Sequence, residues 1–248
     1  MIHSKISPYI ELKSKRISIL EAARKTIEFY KKLSLIESKF NVIKIISETA
    51  SIYDSIEIGK LNAIEQLAEE ILNQNIKEIR KYDSSEEIGV NYSNSKILSY
   101  ALTSVYENDD SILTLAFCFT TSEWVSSSIG SIVSHEFFFK EIENCISFIK
   151  SAIEVFDVNY ATIRPTNDRQ FTKRLKKYKH NSKLGSITFY SNNLNYVIPN
   201  KITDLIIEDF SHGKLIKLNE FKDLEKVKKD ITNFMEEFEK TDSTIMKN

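Results

Sequence analysis

Glycine and proline are scarce in this chain, at 5 and 3 of 248 residues. So little glycine leaves no Gly-rich loop to cradle a phosphate or dinucleotide, and so little proline argues against long extended linkers. Tryptophan occurs once, at Trp124, and the four histidines His3, His135, His180 and His212 are scattered. None of them stands at metal-ligand spacing from another histidine or a cysteine, and His135-Glu136 lacks the second histidine of a zinc-protease helix. No cofactor or metal is therefore expected. Two cysteines, Cys118 and Cys145, are too few for a disulfide framework. Both fall in apolar segments and read as buried thiols of a reducing compartment, with a single disulfide as the alternative. The net charge of −1 offers no global field for nucleic acid or membrane. The N-terminus has no apolar run of signal-peptide length. The longest weakly charged stretch, 111–135, is broken by Glu123 and alternates at period 2, so strands explain it better than a membrane helix. A cytoplasmic location is the expectation.

What is present is a globular balance: 42% hydrophobic, 11% aromatic and 28% charged residues, enough for a sizeable core. Residues 9–13 alternate loosely as a first strand. Ser18-Ile-Leu-Glu21 forms a capping box, and Leu20, Ala23, Ile27, Tyr30 and Leu33 continue as a helix to about Ile36. Residues 41–46 are apolar and β-branched but ambiguous. A second helix places Leu61, Ile64, Leu67, Ala68, Ile71, Leu72 and Ile79 on one face and Glu65, Glu69, Glu70 and Lys77 on the other, and 83–95 reads as a polar loop. The pattern then shifts to period 2. Strands are predicted over 97–106, 112–121 and 125–133, the first two joined by the polar turn Glu107-Asn108-Asp109-Asp110. Ser134 caps a third helix, whose stripe runs through Phe138, Ile142, Cys145, Ile149 and Ile153 to Phe156. A short strand over 160–163 ends at Pro165. Beyond a basic segment come a strand at 187–190, a turn at Asn192-Asn193, and a hairpin of 205–210 and 214–218 turned at Ser211-His212-Gly213. A last helix begins near Asn219 with Phe221, Leu224, Val227, Ile231, Phe234, Met235 and Phe238 as its stripe. This order predicts an α+β fold: N-terminal helices, a central meander, and a C-terminal hairpin plus helix, with the helices packed on a mostly antiparallel sheet. It is read as one domain over 1–248, with a two-lobed division into 1–163 and 164–248 as a variant.

Catalytic signatures are nearly absent, and a non-enzymatic role is expected. Asp209 with Glu220-Phe221-Lys222 imitates the Asp…Glu-x-Lys pattern of metal-dependent nucleases, in which two carboxylates hold a divalent cation. Glu11-Leu12-Lys13 and Glu37-Ser38-Lys39 match the same short pattern by composition alone. The basic segment 164–183 carries Arg164, Arg169, Lys173, Arg174, Lys176, Lys177, Lys179 and Lys183 with Phe171 and Tyr178 interleaved. It is either a phosphate-contacting surface or a solvated stretch, and direct nucleic-acid binding is not the expectation. Acids gather at Asp54, Glu57, Glu65, Glu69, Glu70, Glu86 and Glu87, and again at Glu107, Asp109 and Asp110. A solvated helix face accounts for such acids; the alternative is a docking surface that steers a basic protein partner. On the second reading Glu86, Glu87, Glu107, Asp109 and Asp110 are partner-binding candidates, with Tyr106 and Trp124 as aromatic anchors.

The order of features resembles the immunity protein 52 family of bacterial polymorphic-toxin and type VI secretion systems. Tyr9 takes the place of an aromatic-bearing first strand, 98–119 of the meander, and Val155-Phe156-Asp157-Val158-Asn159-Tyr160 of the Asp-containing turn after a central helix. Leu184-Gly185-Ser186-Ile187-Thr188-Phe189-Tyr190 stands for the family's Gly-Trp strand, with Ser186 in the tryptophan position. Ile198-Pro199 and His212-Gly213-Lys214 follow. The correspondence covers about 9–220, diverges over 164–183, and carries no catalytic residue. The resemblance implies an immunity protein that binds and blocks a cognate toxin, a nuclease effector acting in the cytoplasm. A homodimer is compatible with it.

Overall fold

The computed structural model describes residues 6–12, 17–46, 53–82, 99–108, 111–120, 128–133, 142–165, 185–194, 205–218, 226, 229–233 and 235–237. The fold is α+β. Ten strands form one sheet: β1 (Ile6–Leu12), β2 (Val42–Ile46), β3 (Tyr53–Glu57), β4 (Ser99–Asn108), β5 (Ser111–Thr120), β6 (Ser128–Val133), β7 (Val158–Pro165), β8 (Ile187–Ser191), β9 (Leu205–Phe210) and β10 (Gly213–Leu218). Their order is β3-β2-β4-β5-β6-β1-β7-β8-β10-β9, and every pairing is antiparallel. Among the described residues three continuous helices accompany it, α1 (Ile19–Ser34), α2 (Ala63–Tyr82) and α3 (Ile142–Val155).

The first strand occupies the middle of the sheet, between β6 and β7. It begins before Tyr9 and includes Pro8. The ladder to β7 runs through Pro8 opposite Ile163. The ladder to β6 has partners at Ile6 and then only from Tyr9 onward, as expected of a residue with no N–H to give. The capping box forms as the sequence predicts: the Glu21 amide donates to Ser18 Oγ at 3.1 Å. From there α1 buries Ile19, Ala22, Ala23, Thr26, Ile27, Phe29, Tyr30 and Leu33, and it packs against both α2 and α3. The Phe29 ring meets Phe148 and Phe156 edge-on at 5.5 and 5.7 Å, and Lys32 Nζ pairs with Glu154 at 2.7 Å across the α1–α3 seam.

Two expectations about the N-terminal half need correction. Residues 53–57, read only as part of an acidic region, form β3 and make a hairpin with β2, Val42 standing opposite Glu57. Leu61, placed on the apolar face of the second helix, precedes that helix and is fully exposed, whereas Ala63, Leu67, Ala68, Ile71 and Leu72 are the buried positions. The third helix is described from Ile142; Ser134, Glu136 and Phe138 lie outside the described residues.

Register sorts the sheet into two faces. Ile10, Ala161, Phe189 and Leu215 stand in one row and belong to the continuous apolar core that also takes in α1, α2 and α3. On the alternate positions, Tyr160, Thr162, Thr188, Tyr190 and Ile216 are buried too, with the Tyr160 and Tyr190 rings 5.6 Å apart. Residues 226–237 are helical wherever described, and Ile231 and Met235 of their predicted stripe are buried. Strand pairing crosses the 163/164 division, Ile163 lying opposite Ile187. Cys145 is buried, and burial pushes its thiol up to about 12; the side chain of Cys118 lies outside the described residues. No helix among the described residues is long and apolar enough to cross a membrane.

Candidate partner-binding surface

One end of the sheet gathers the features that suit recognition. It is built by local hydrogen bonding after α1 and after β3. Leu35 closes α1, its amide donating to Lys32 O at 3.2 Å, and its side chain is 87% exposed. A short 3-10 turn, Ser38–Asn41, leads into β2. The Ile58 amide donates back to Asn41 O at 3.0 Å, tying the exit of β3 to the entry of β2. The turn into α2 is then fixed by Lys60 N to Glu57 O at 3.1 Å and Ala63 N to Lys60 O at 3.2 Å, with a Glu57–Lys60 ion pair at 3.0 Å across it. Leu61 is the tip of this ordered turn and is fully exposed.

Leu61, Glu65 and Glu69 follow at intervals of four, so they line one ridge of the helix start, and both glutamates are exposed. Among the described residues neither carboxylate has an ion-pair partner. The α2 amide ends favour the negative charge of Glu65 in the first turn.

The sheet brings the predicted hairpin to the same end. Ile45 stands opposite Ser104. The strands run antiparallel from that pair, so β4 proceeds toward Glu107 as β2 runs back toward Val42, which is itself opposite Glu57. Tyr106 and Glu107 thus sit at the end of β4 nearest the Glu57–Leu61 turn, and the β4–β5 ladder closes at Asn108 opposite Ser111. Asp109, Asp110, Glu86, Glu87 and Trp124 lie outside the described residues. Sequence reasoning missed Leu35 and Leu61 as surface anchors. Helical periodicity absorbed Leu61 into the core stripe, and the signal against it was Gly59 two residues earlier, which marks a turn rather than a helix interior.

The opposite end of the strands holds the β9–β10 turn. Ser211 has φ 54°, and Gly213 returns the chain opposite Phe210. His212 Nε2 donates to Val158 O at 2.8 Å, which leaves Nδ1 facing Ser211 Oγ at 3.1 Å. Its ring meets Phe189 edge-on at 5.4 Å. Asp209, the first member of the nuclease-like pattern, is engaged by Lys214 Nζ at 2.8 Å; Glu220 and Lys222 lie outside the described residues. Glu208 is ion-paired with Lys150 at 2.7 Å and accepts a hydrogen bond from Lys217 at 2.8 Å, and these two ammonium groups hold its carboxyl below its ordinary value. Among the described residues no group of His, Cys, Asp and Glu could hold a metal ion. Of the basic segment, Arg164 has its backbone in β7 opposite Ser7, and 166–183 lie outside the described residues. At the Gly-Trp-like position, Ser186 is buried, its amide donating to Ile163 O at 2.9 Å, and the Gly185 amide donates to Thr188 Oγ1 at 3.0 Å.

No family model matches the chain, and no curated protein matches it. Among solved structures it is similar to the Pseudomonas aeruginosa T6SS protein PA0821, with 6% sequence identity and a TM-score of 0.45 over 95% of this chain and 84% of that one.

Proposed function

We propose that this protein is a cytoplasmic immunity protein that binds a cognate secreted nuclease toxin and neutralises it by occlusion, without catalysing a reaction. The observation that carries the reading is the Glu57–Leu61 turn, where Leu61 stands exposed on the same helix ridge as Glu65 and Glu69, whose carboxylates have no ion-pair partner among the described residues, with Leu35 exposed at the end of α1. An apolar anchor held out by a rigid turn loses little entropy on docking. Unpaired carboxylates around it attract a basic surface, and a protein that grips nucleic acid has one. Tyr106 and Glu107 extend the same end through the β4–β5 hairpin. The resemblance to immunity proteins supplies the class of partner.

The test is co-expression with the product of the adjacent upstream gene, scored for survival and for co-purification. Rescue with tight binding supports the reading. Leu61→Asp is expected to weaken that binding at least about tenfold, since a truncated or charged anchor typically costs more than 1 kcal/mol. Glu65→Lys with Glu69→Lys should chiefly slow association and flatten its salt dependence. Neither rescue nor binding, together with salt-dependent retention on DNA or RNA, would replace the reading with a nucleic-acid-binding role for 164–183.

A further inference from the structure

Among the described residues the sheet ends at β9, and the turn that precedes β10 fixes which of its backbone groups face away from β10. With Phe210 opposite Gly213, only Ser211 and His212 lie between the strands. In a two-residue hairpin the residues flanking the turn exchange both backbone hydrogen bonds, and the pattern then alternates along the strand. Phe210, Glu208 and Ile206 therefore address β10, while Leu205, Ile207 and Asp209 turn their N–H and C=O groups outward to the open edge. Natural edges are usually blunted by lysine, proline or a bulge. This one has none of them: the strand reads Leu-Ile-Ile-Glu-Asp-Phe, and its ladder to β10 runs without a register shift. Ile206 and Ile207 are 48% and 42% exposed, one on each face of the sheet. The two acids are each ion-paired within the chain, Glu208 with Lys150 and Lys217 and Asp209 with Lys214.

We infer that β9 pairs antiparallel with β9 of a second copy of this chain, about a two-fold axis through Ile207, joining two sheets edge to edge. Charge and overlap select that register. A two-fold through Glu208 or Asp209 would set a carboxylate directly against its own counterpart, which is unfavourable across a strand pair. A two-fold through Ile206 aligns only residues 205–207. Centred on Ile207, all of 205–209 align. Ile207 then meets Ile207 of the second copy, Ile206 meets Glu208, and Leu205 meets Asp209, with no like charges opposite. Leu205, Ile207 and Asp209, whose groups point outward, become the hydrogen-bonded positions. The surface lies on the far edge of the sheet from β3, at the other side of the molecule's strand order from the Leu61 turn, so pairing and toxin binding are separate properties.

The experiment is light scattering on the full chain with chemical cross-linking through introduced cysteines. The wild-type protein should have twice the 28.7 kDa chain mass. Ile207→Lys places two ammonium groups opposite each other and should raise the dimer dissociation constant at least about tenfold, with an unchanged circular dichroism spectrum because the side chain is half exposed. Ile207→Cys should form a disulfide-linked dimer under mild oxidation, hydrogen-bonded partners being about 5.5 Å apart at Cα, within disulfide reach. Asp209→Cys should not, because its counterpart lies four residues along the strand. A monomeric wild-type protein overturns the proposal. So does a dimer that Ile207→Lys leaves intact, or cross-linking through position 209, or in the unmodified chain, as fast as through 207.

Discussion

A methyl group on Gly213 has no room. Built on the backbone there, a Cβ would run into the Tyr190 carbonyl oxygen and sit 2.6 Å from the Phe189 ring. Both belong to β8, and one is backbone, so the clash cannot be relieved by rotating a side chain. Gly213→Ala should lower unfolding free energy by roughly 1–3 kcal/mol, the usual range for overpacking, as read from urea denaturation. An unchanged midpoint would mean the β8–β10 approach is looser than described. Glu208 makes a second residue-scale case, through pH. Hydrogen bonds from Lys150 and then Lys217 hold its carboxyl below the usual 4.5. Because the folded value is the lower one, the carboxylate stabilises the fold above the unfolded value, and that contribution is lost as pH falls through the depressed folded value. Glu208→Gln should cost roughly 1 kcal/mol near neutrality for a part-exposed pair, and its difference from the wild type should shrink on acidification below the ordinary carboxylate range. A gap that stays constant from neutral to acid would show that the pair contributes no pH-dependent stability.

Individual elements differ in how openly the sequence declares them. α1 is written twice, in the cap and in the stripe. Ser18→Ala removes the acceptor that Glu21 N uses at 3.1 Å and should cost about 1 kcal/mol, with Ser18→Asp restoring most of it. A loss of less than a few tenths, measured by thermal or urea unfolding, would mean the amide finds water instead. The meander was legible because β4 alternates at period 2, β5 is apolar on both faces, and a short polar connection joins them. β3 was overlooked although Ile56 and Ile58 alternate with Ser55 and Glu57, because five residues among acids resemble a solvated turn. Leu61 misled for the opposite reason, since an apolar residue two positions before a helix falls into its period without belonging to its face. Pro8 hid the first half of β1. A proline argues against an inner strand, and here the strand tolerates it where the ladder to β6 has no partner at Ser7 and Pro8.

At the scale of the whole molecule, the sequence order conceals what the sheet does. β1 lies between β6 and β7, so residues from opposite ends of the first two-thirds of the chain meet at the centre. The candidate surface shares this character. Leu61 and the β4–β5 hairpin are remote in sequence and come to one end of the sheet because β2 pairs with both β3 and β4; the acids were visible in the sequence, and their common location was not. The same long-range pairing argues about cooperativity. The apolar core runs unbroken from Ile10 to Leu215, and β7 is flanked by β1 and β8, so a cut between residues 163 and 164 would expose the Ile163, Ile187 and Phe189 positions together. Such a structure should unfold in one transition, because neither part retains a closed core once the β7–β8 ladder opens. Denaturation followed by far-UV circular dichroism and by fluorescence of the single tryptophan should therefore give coincident midpoints, and residues 1–163 and 164–248 expressed separately should each fail to show a cooperative transition. Two separated midpoints, or a cooperative transition in either fragment alone, would instead establish two lobes that fold independently and dock along β7 and β8.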